Sequence, residues 1–475
     1  MAGFPGARAA VLGRLWGAVC RESLPGVASR RVRGDTVVVS LRDGRRLAGP
    51  SSAAVMFAPY PTGLTVTVDG VGFDDPARLA RAVGWPERLR AELAGSVANI
   101  ALARTGSVPP GSGLLADMEA RVVDGHPLHP LCRTRTGMSA FEQVMYAPEH
   151  CPTVDVDLVP VPARRWEGVG RWPWRDGTDV LLPVHPWQRQ HTDLRLPTRG
   201  TLTGRPLMSL RTLDVGGGWH VKTAVNIQMT SAVRTVSAAA ITNGPVLSVL
   251  VAGVGGVEVL AEPAAGAMVV DGVASRQFAA VARRAPVPGA GEVVAPTSAL
   301  CAGPTPLVVE YASGDPVGWM AALARTVVRP LVELLARGVA LEAHGQNTLV
   351  VLRDGWPVRA VYRDFGGVRV SPDVLARHGV ACPPLAGDIP TNDPWVLRTK
   401  FLASVGTMVG EMVAVLSHAT GVCVEDLWRP IGSVMADQPA LMRGAWPVKA
   451  TTVMRVARNP LDEVWVWVPN PVKGL

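Results

Sequence analysis

The chain has 475 residues, 48% of them apolar and 18% charged, and a formal charge of +8; this excludes intrinsic disorder and leaves length for two or three packed subdomains. Its arginines are spread out, with no run longer than pairs such as Arg30-Arg31 and Arg164-Arg165. With no zinc-finger spacing or basic arm beside them, nucleic acid is not an expected partner.

In chain order, residues 1–20 carry two arginines at amphipathic spacing but no long apolar run, so no signal peptide is expected. Thr36 to Leu41, rich in β-branched residues, predicts a strand turning at Asp43-Gly44 into Arg45 to Leu47. Asp75-Pro76 predicts a helix start, the helical pattern running to Arg104 with a break at Gly84-Trp85-Pro86. Pro109-Pro110-Gly111 marks a turn before a helix over Leu114 to Val122. From Val154 the texture turns to β: strands at Val154 to Val161, Val180 to Val184, Met208 to Leu213 and His220 to Gln228, the last two around Gly216-Gly217-Gly218. Further strands are expected at Val246 to Val251, Gly256 to Leu260 and Leu307 to Tyr311, because Asn243-Gly244-Pro245 and the glycines at 253–256 interrupt the apolar stretch over Val236 to Leu260. Helical spacing returns from Val317 to Ala336, with Gly338 as its cap. A hairpin of Thr348 to Leu352 and Val358 to Tyr362 turns at Asp354-Gly355, and Asp393 to Gln438 reads as helix. The six cysteines are isolated, with no C-x-x-C; reduced thiols and a soluble cytoplasmic protein are expected, with no membrane association.

Four clusters gather polar groups within apolar surroundings. Gly125-His126-Pro127-Leu128-His129-Pro130, with Arg133 and Arg135 beyond, reads as a loop offering donors to an anion, as a structural turn, or as a metal site. Prolines after both histidines and the lack of a completing ligand set weigh against zinc. His185-Pro186-Trp187-Gln188 at a strand end reads as structural.

The third cluster is Ser209 and Arg211, two apart and so on one face of a strand, then Lys222 on the returning strand, Thr230-Ser231 and Arg234-Thr235. The chain has only four lysines, Lys222, Lys400, Lys449 and Lys473, so a lysine inside a motif carries weight. Several cations with hydroxyl donors are what a triphosphate requires; the bland alternative is a solvated strand face. The fourth is Glu342-Ala343-His344-Gly345-Gln346-Asn347-Thr348, with Arg363-Asp364-Phe365-Gly366-Gly367 beyond the hairpin. Such polar crowding is costly to bury without purpose. Glu342, Asn347 and Asp364 are hard oxygen donors of the kind magnesium takes beside nucleotide phosphates. No Walker loop holds the nucleotide, since the glycine before Lys222 is missing from the stretch Gly217 to Thr223. A kinase-like phosphotransferase built on His344-Gly345-Gln346-Asn347 and Asp364-Phe365-Gly366 is the alternative. It lacks a catalytic Asp after the histidine, where Gln346 stands, and a Gly-rich loop upstream.

Taken together and in order, Gly125-His126-Pro127, His185-Pro186-x-Gln188, Ser209-x-Arg211, Lys222 with Thr230 to Thr235, Glu342-x-His344-x-Gln346-Asn347 and Arg363-Asp364-x-x-Gly367 resemble the NRPS-independent siderophore (IucA/IucC-like) synthetases. The resemblance implies an α+β, cupped-hand fold: a mixed thumb over 1–152, β-rich fingers over 153–315 and a helical palm over 316–475. It implies an AMP-forming ligase, using ATP and Mg2+, that adenylates a small carboxylic acid, citrate or a citryl derivative first among them, and condenses it with an amine or alcohol. A homodimer is a further implication. Ser209, Arg211 and Lys222 would hold the phosphates, and Thr230, Arg234 and His344 would reach the α-phosphate and the carboxylate. Asn347 and Asp364 would bind magnesium, while Glu342 and Gln346 shape the acid side; His126, His129 and Arg133 would serve as substrate donors. Arg133 stands where the family commonly has lysine, and the chain is short for the family.

Overall fold

The computed structural model describes residues 3–106, 113–193, 197–230, 232–457 and 463–475. The expected turn at Pro109-Pro110-Gly111 and the hydroxyl of Ser231 lie outside the described residues.

The fold is α+β. Its first part packs helices Phe4–Arg21, Pro76–Val83 and Glu87–Ala103 against a five-stranded antiparallel meander beginning at Val27 and ending at Phe73. Thr36–Leu41 alternates half-buried and buried positions, as a strand with one face on a core must. Asp75 caps the second helix, accepting from the amides of Ala77 and Arg78 at 2.9 and 3.0 Å. Gly84, at φ 82°, ends it in the left-handed conformation that a side chain disfavours.

The middle of the chain builds a nine-stranded sheet whose centre is Val273–Arg284, Trp219–Thr223, Thr212–Asp214, Thr201–Pro206 and Val154–Val161. Two expectations fail here. Residues Ala238–Val254 form one helix, not strand, turn and strand. Ser237 caps it by accepting from the Ala240 amide at 3.1 Å, and Pro245 lies inside it. The segment is apolar on all sides, so periodicity cannot separate a buried helix from buried strands. Of the strand expected at Gly256 to Leu260, only Glu258–Val259 pairs, in parallel with Trp356–Tyr362. Leu307–Tyr311 is likewise a short helix, started after Pro306.

A four-stranded sheet in the order Glu258–Val259, Trp356–Tyr362, Thr348–Arg353, Glu292–Pro296 joins residues on both sides of position 315. Against it pack Pro316–Leu323, a π-helical turn, Arg329–Ala336, the long helix Pro394–Thr420 and Val424–Met435. Trp319, Tyr362, Phe365 and Phe401 are fully buried in this core; truncating such a ring costs about 3–5 kcal/mol. Helix Pro394–Thr420 is the one described helix long and apolar enough to cross a membrane, and most of it is buried inside the protein. The C-terminal stretch adds a two-stranded ribbon, Trp446–Lys449 paired with Trp465–Val468. It returns to the first helices through Glu22, which accepts from the amides of Thr452 and Val453, and through the ion pair of Glu92 with Arg455.

Candidate active site

Lys222 sits on Trp219–Thr223, between Thr212 on one neighbouring strand and Val281 on the other. His220, two residues back and on the same face, stands opposite Arg283. The sheet therefore directs Lys222 and Arg283 to one spot, where they meet Asp364: Lys222 Nζ lies 2.5 Å from its Oδ2 and Arg283 Nη2 lies 3.6 Å away. Arg283 is fixed in turn by Glu262, to which it donates at 3.0 and 2.6 Å. Asp364 has φ 72°, a strained conformation for a non-glycine residue that is held by its surroundings. Burial pushes its carboxyl up, but Lys222, Arg283 and Arg211 outweigh that and hold it well below the usual carboxylate range. Burial pulls the Lys222 ammonium below its ordinary value despite Asp364.

Ser209 and Arg211 are not on a strand. They flank Leu210, at φ 64°, in a turn before Thr212–Asp214, so they do not share a strand face. The Ser209 hydroxyl donates to Thr212 Oγ1 at 2.8 Å. Arg211 Nη1 donates to the carbonyls of Arg234 and Thr235 at 3.2 and 2.9 Å, tying the two arginine segments together. Arg234 donates to Thr230 Oγ1 at 2.6 Å and to the Met229 carbonyl at 3.1 Å. Thr230 itself has φ 52°. Neither Arg211 nor Arg234 has a carboxylate partner among the described residues. Burial, followed by Arg234, lowers Arg211 to about 10.

The opposite wall is the loop from Glu342 to Thr348. His344 Nδ1 accepts from the Gln346 amide at 3.3 Å and its carbonyl accepts from the amides of Asn347 and Thr348, so the histidine closes its own turn. Burial lowers the His344 pKa, with Glu342 opposing. Gln346 offers its carbonyl to Arg363 at 3.1 and 2.9 Å. Arg363 also donates to Glu119 at 2.6 Å, and Glu119 accepts from the Met208 amide. This buried brace holds the His344 loop, the Asp364 turn and the Ser209 turn to one helix. Asn347 donates to the Glu342 carbonyl at 3.4 Å, leaving its Oδ1 without a bond among the described residues.

Glu342 is expected among the metal donors, but its carboxylate is engaged by lysines. Its Oε1 takes Lys449 at 2.8 Å and Lys400 at 3.4 Å, and the same lysines reach Glu463 at 3.1 and 2.6 Å. Burial pushes the Glu342 carboxyl up, but Lys449 and Lys400 hold it well below its usual range. The carboxylate lies against Gly367, where a Cβ would come within 2.0 Å of Glu342 Oε2. No group of three or more His, Cys, Asp or Glu side chains is gathered in metal-binding fashion among the described residues. The sequence reading missed Lys400, Lys449, Glu463, Glu262, Arg283 and Glu119. The scarcity of lysine was the one signal that could have found the first two.

The histidine-rich segment is partly scaffold. His126 Nδ1 accepts from the Leu128 amide and His129 Nδ1 from the Leu131 amide, each closing a turn before proline-broken chain. His126 is exposed; His129 is buried. Arg133 corrects an expectation: it does not face the cleft as a free donor. It is 6% exposed and spends its guanidinium on the carbonyls of Val122 and Val123, with Glu149 at 3.7 Å. Arg135 closes on Glu149 at 2.6 and 3.1 Å. His185 and Gln188 are structural as expected, accepting from the amides of Trp187 and Asn226.

Residues 114–302 match the IucA / IucC family, and residues 318–440 match a family described as ferric iron reductase FhuF-like transporter. Staphyloferrin A synthase of Staphylococcus aureus is 27% identical over 317 residues, 54% of this chain and 53% of that protein. D-ornithine–citrate ligase of the same organism is 22% identical over 383 residues, 64% of this chain and 58% of that protein. The chain thus aligns with little more than half the length of these relatives. In fold it resembles the ATP-bound aerobactin synthetase IucA of a hypervirulent Klebsiella pneumoniae pathotype, with TM-score 0.78, 16% identity and 99% of each chain covered.

Proposed function

The chain belongs to the IucA/IucC family of NRPS-independent siderophore synthetases, and from that premise we propose that it is an ATP-dependent ligase. It adenylates a small carboxylic acid, releases pyrophosphate, and condenses the acyl group with an amine or alcohol. The observation that carries this reading is the charge imbalance of the cleft. Lys222, Arg283, Arg211 and Arg234 converge on a space where, among the described residues, Asp364 and Glu262 pair with the first two and Arg211 and Arg234 have no carboxylate partner. Half-buried cations held without counter-ions are unfavourable in the empty protein and suited to an anion of high charge.

In the first step a carboxylate oxygen attacks the α-phosphorus, and the bond to the bridging oxygen breaks, with pyrophosphate leaving on the electron pair. Arg211 and Lys222 take the β- and γ-phosphates, and Arg234 meets the charge that builds on the α-phosphoryl oxygens. Thr230 aims Arg234 through its 2.6 Å hydrogen bond, while His344, held neutral by burial, presents a ring nitrogen to the same oxygens. Ser209 holds the Arg211 turn through Thr212, a supporting task. In the second step the amine nitrogen or alcohol oxygen attacks the acyl carbon, the carbon–oxygen bond to phosphate breaks, AMP leaves, and the nucleophile's proton goes to solvent. Holding two mutually repelling anions in reacting geometry is itself a large part of the acceleration.

The donor set fits magnesium, since the Asp364 carboxylate, shared with Lys222, and the Asn347 Oδ1, which has no bond among the described residues, complement phosphate oxygens in the way this ion prefers. Those two residues would hold it, and it would supply further neutralisation of phosphoryl charge. Glu342, committed to two lysines, belongs to the acid and acceptor side. Citrate is the first acid to try, because the cleft is rich in cations and a relative's name states citrate as its acid. Carboxylate-dependent exchange of pyrophosphate into ATP, run with citrate, succinate, 2-oxoglutarate and succinyl-hydroxamates, tests the reading. Exchange with one acid and AMP as product are expected; ADP in place of AMP would overturn it in favour of phosphoryl transfer.

A further inference from the structure

Two neighbouring helical stretches in the last third of the chain are each interrupted at a proline. Pro330 has no amide to return to the Thr326 carbonyl four residues back. The chain there runs as a π-helical turn over Ala324–Val328, between Pro316–Leu323 and Arg329–Ala336. Pro430 lies inside Val424–Met435 and likewise leaves the Asp426 carbonyl without its helical donor. A π turn sets an extra residue into a helix and recurs at functional sites. The two interruptions face each other, the helix surfaces do not close there as ridges in grooves, and a groove of about 450 Å³ remains.

Its floor is apolar, made by Val317, Ala321, Ala324, Pro430 and Val434. Its rim is cationic. Arg325 and Arg329 are exposed four positions apart and both line the groove, a spacing at which like charges repel. Neither has a carboxylate or hydrogen-bond partner among the described residues. Arg429 donates to Asp426 at 3.2 Å, but both side chains of that pair are more than half exposed, so the pairing is weak. Three guanidinium groups thus stand against one carboxylate above an apolar floor. None of these residues belongs to the cleft around Asp364.

We propose that this groove is a second ligand site, and that it takes a small amphipathic anion. The apolar body of the ligand lies on the floor, and its carboxylate-, sulfonate- or phosphate-type group is held by Arg325 and Arg329. Guanidinium forks bind such groups two oxygens at a time, and the anion relieves the repulsion between the two arginines. The size of the groove argues against a protein partner. Ten residues line it, where a stable protein interface takes about 20–30 on each side. Its volume falls within the range of about 300–1,000 Å³ that small-molecule sites occupy. The site stands apart from the nucleotide cleft and does not depend on the ligase reading.

Fluorescence titration of the full chain with 8-anilinonaphthalene-1-sulfonate tests this, beside N-phenyl-1-naphthylamine, which has the same ring body without the charge. Variants are checked for folding by circular dichroism. The wild type is expected to bind the sulfonate saturably. Arg325→Gln combined with Arg329→Gln should weaken that binding about tenfold, the size of one charge-assisted contact, while the uncharged probe changes by less than about twofold. Ser433→Trp, a substitution at an exposed position on the rim, should block both probes by filling the mouth. Arg234→Ala, in the other cationic site, should leave the groove titration as it is. Sulfonate binding that survives in the double arginine variant, or that is lost in Arg234→Ala instead, overturns the proposal. So does a dimer in sedimentation that the double arginine variant dissociates, since the groove would then be a contact between copies of the chain.

Discussion

Two arginine-rich regions of this molecule look alike in sequence and differ in structure. In the segment after Gly125, Arg133 and Arg135 are buried and their guanidinium groups are spent on Glu149 and on the carbonyls of Val122 and Val123. In the cleft, Arg211 and Arg234 bond to carbonyls and a threonine hydroxyl and have no carboxylate partner among the described residues. In the first, two guanidinium groups share one carboxylate and meet carbonyls with the rest, an arrangement that holds the chain in place. The second is left positive, and the imbalance is what a substrate anion would relieve. What a charged group does depends less on its identity than on whether its charge has already been met.

The contrast can be broken by exchanging the expected consequences. Arg234→Ala should lower pyrophosphate exchange by about a hundredfold or more, as loss of one preorganised donor does, with the circular dichroism spectrum unchanged; near-normal exchange would remove Arg234 from the α-phosphate. Glu149→Gln should do the reverse, costing about 3 kcal/mol in urea unfolding, because it strands two buried guanidinium groups. Its effect on exchange, at concentrations and temperatures where it is folded, should be small.

Gly367→Ala sharpens the boundary between the regions. The new methyl must displace the Glu342 carboxylate it would overlap, so turnover with the acceptor should fall several-fold while the melting temperature moves little. Acid titration of the wild type reads every depressed carboxylate, Asp364 and Glu342 included, so the Glu149 contribution is the difference between wild type and Glu149→Gln. Burial pushes the Glu149 carboxyl up, but Arg135 and Arg133 bring it to about 2, against 4.5 for the unfolded chain. The stabilisation is complete above pH 4.5 and is lost as pH falls from there through about 2. Glu149→Gln should flatten that part of the stability curve. Arg133→Lys is the mildest change, expected to cost about 1 kcal/mol, since an ammonium cannot serve two carbonyls and a carboxylate as a planar fork does. A large loss of exchange in that variant would restore Arg133 to the substrate side.

Local chemistry made much of the fold legible. Thr36–Leu41 alternates, Asp75 and Gly84 bracket a helix, and Asp354-Gly355 turns a hairpin whose strands pair as expected. Ala238–Val254 departs from the expected strands because a largely apolar segment carries no clear period, and its asparagine, glycine and proline sit in one helix. The Lys222–Asp364 contact was half legible: a solitary lysine and a solitary aspartate stood out, but nothing local says that they meet across 142 positions. The spacing of Ser209 and Arg211 is that of a strand, and the left-handed Leu210 between them is not encoded by any turn residue. Arg133 could not be placed, since its partners are backbone carbonyls that every residue possesses. The corner of Glu342, Lys400, Lys449 and Glu463 draws on a loop, a helix and a ribbon, and only the folded chain brings them together.

The central claim is that the unmatched cations of the cleft, and not those beside Gly125, act on the nucleotide. The most direct measurement is carboxylate-dependent ATP–pyrophosphate exchange by the wild type, Arg234→Ala and Arg133→Lys, with AMP and ADP quantified in parallel. The account predicts exchange and AMP from the wild type, near-wild-type exchange from Arg133→Lys, and loss of both signals in a folded Arg234→Ala. Exchange that survives in Arg234→Ala and fails in Arg133→Lys, or ADP as the product, would contradict it.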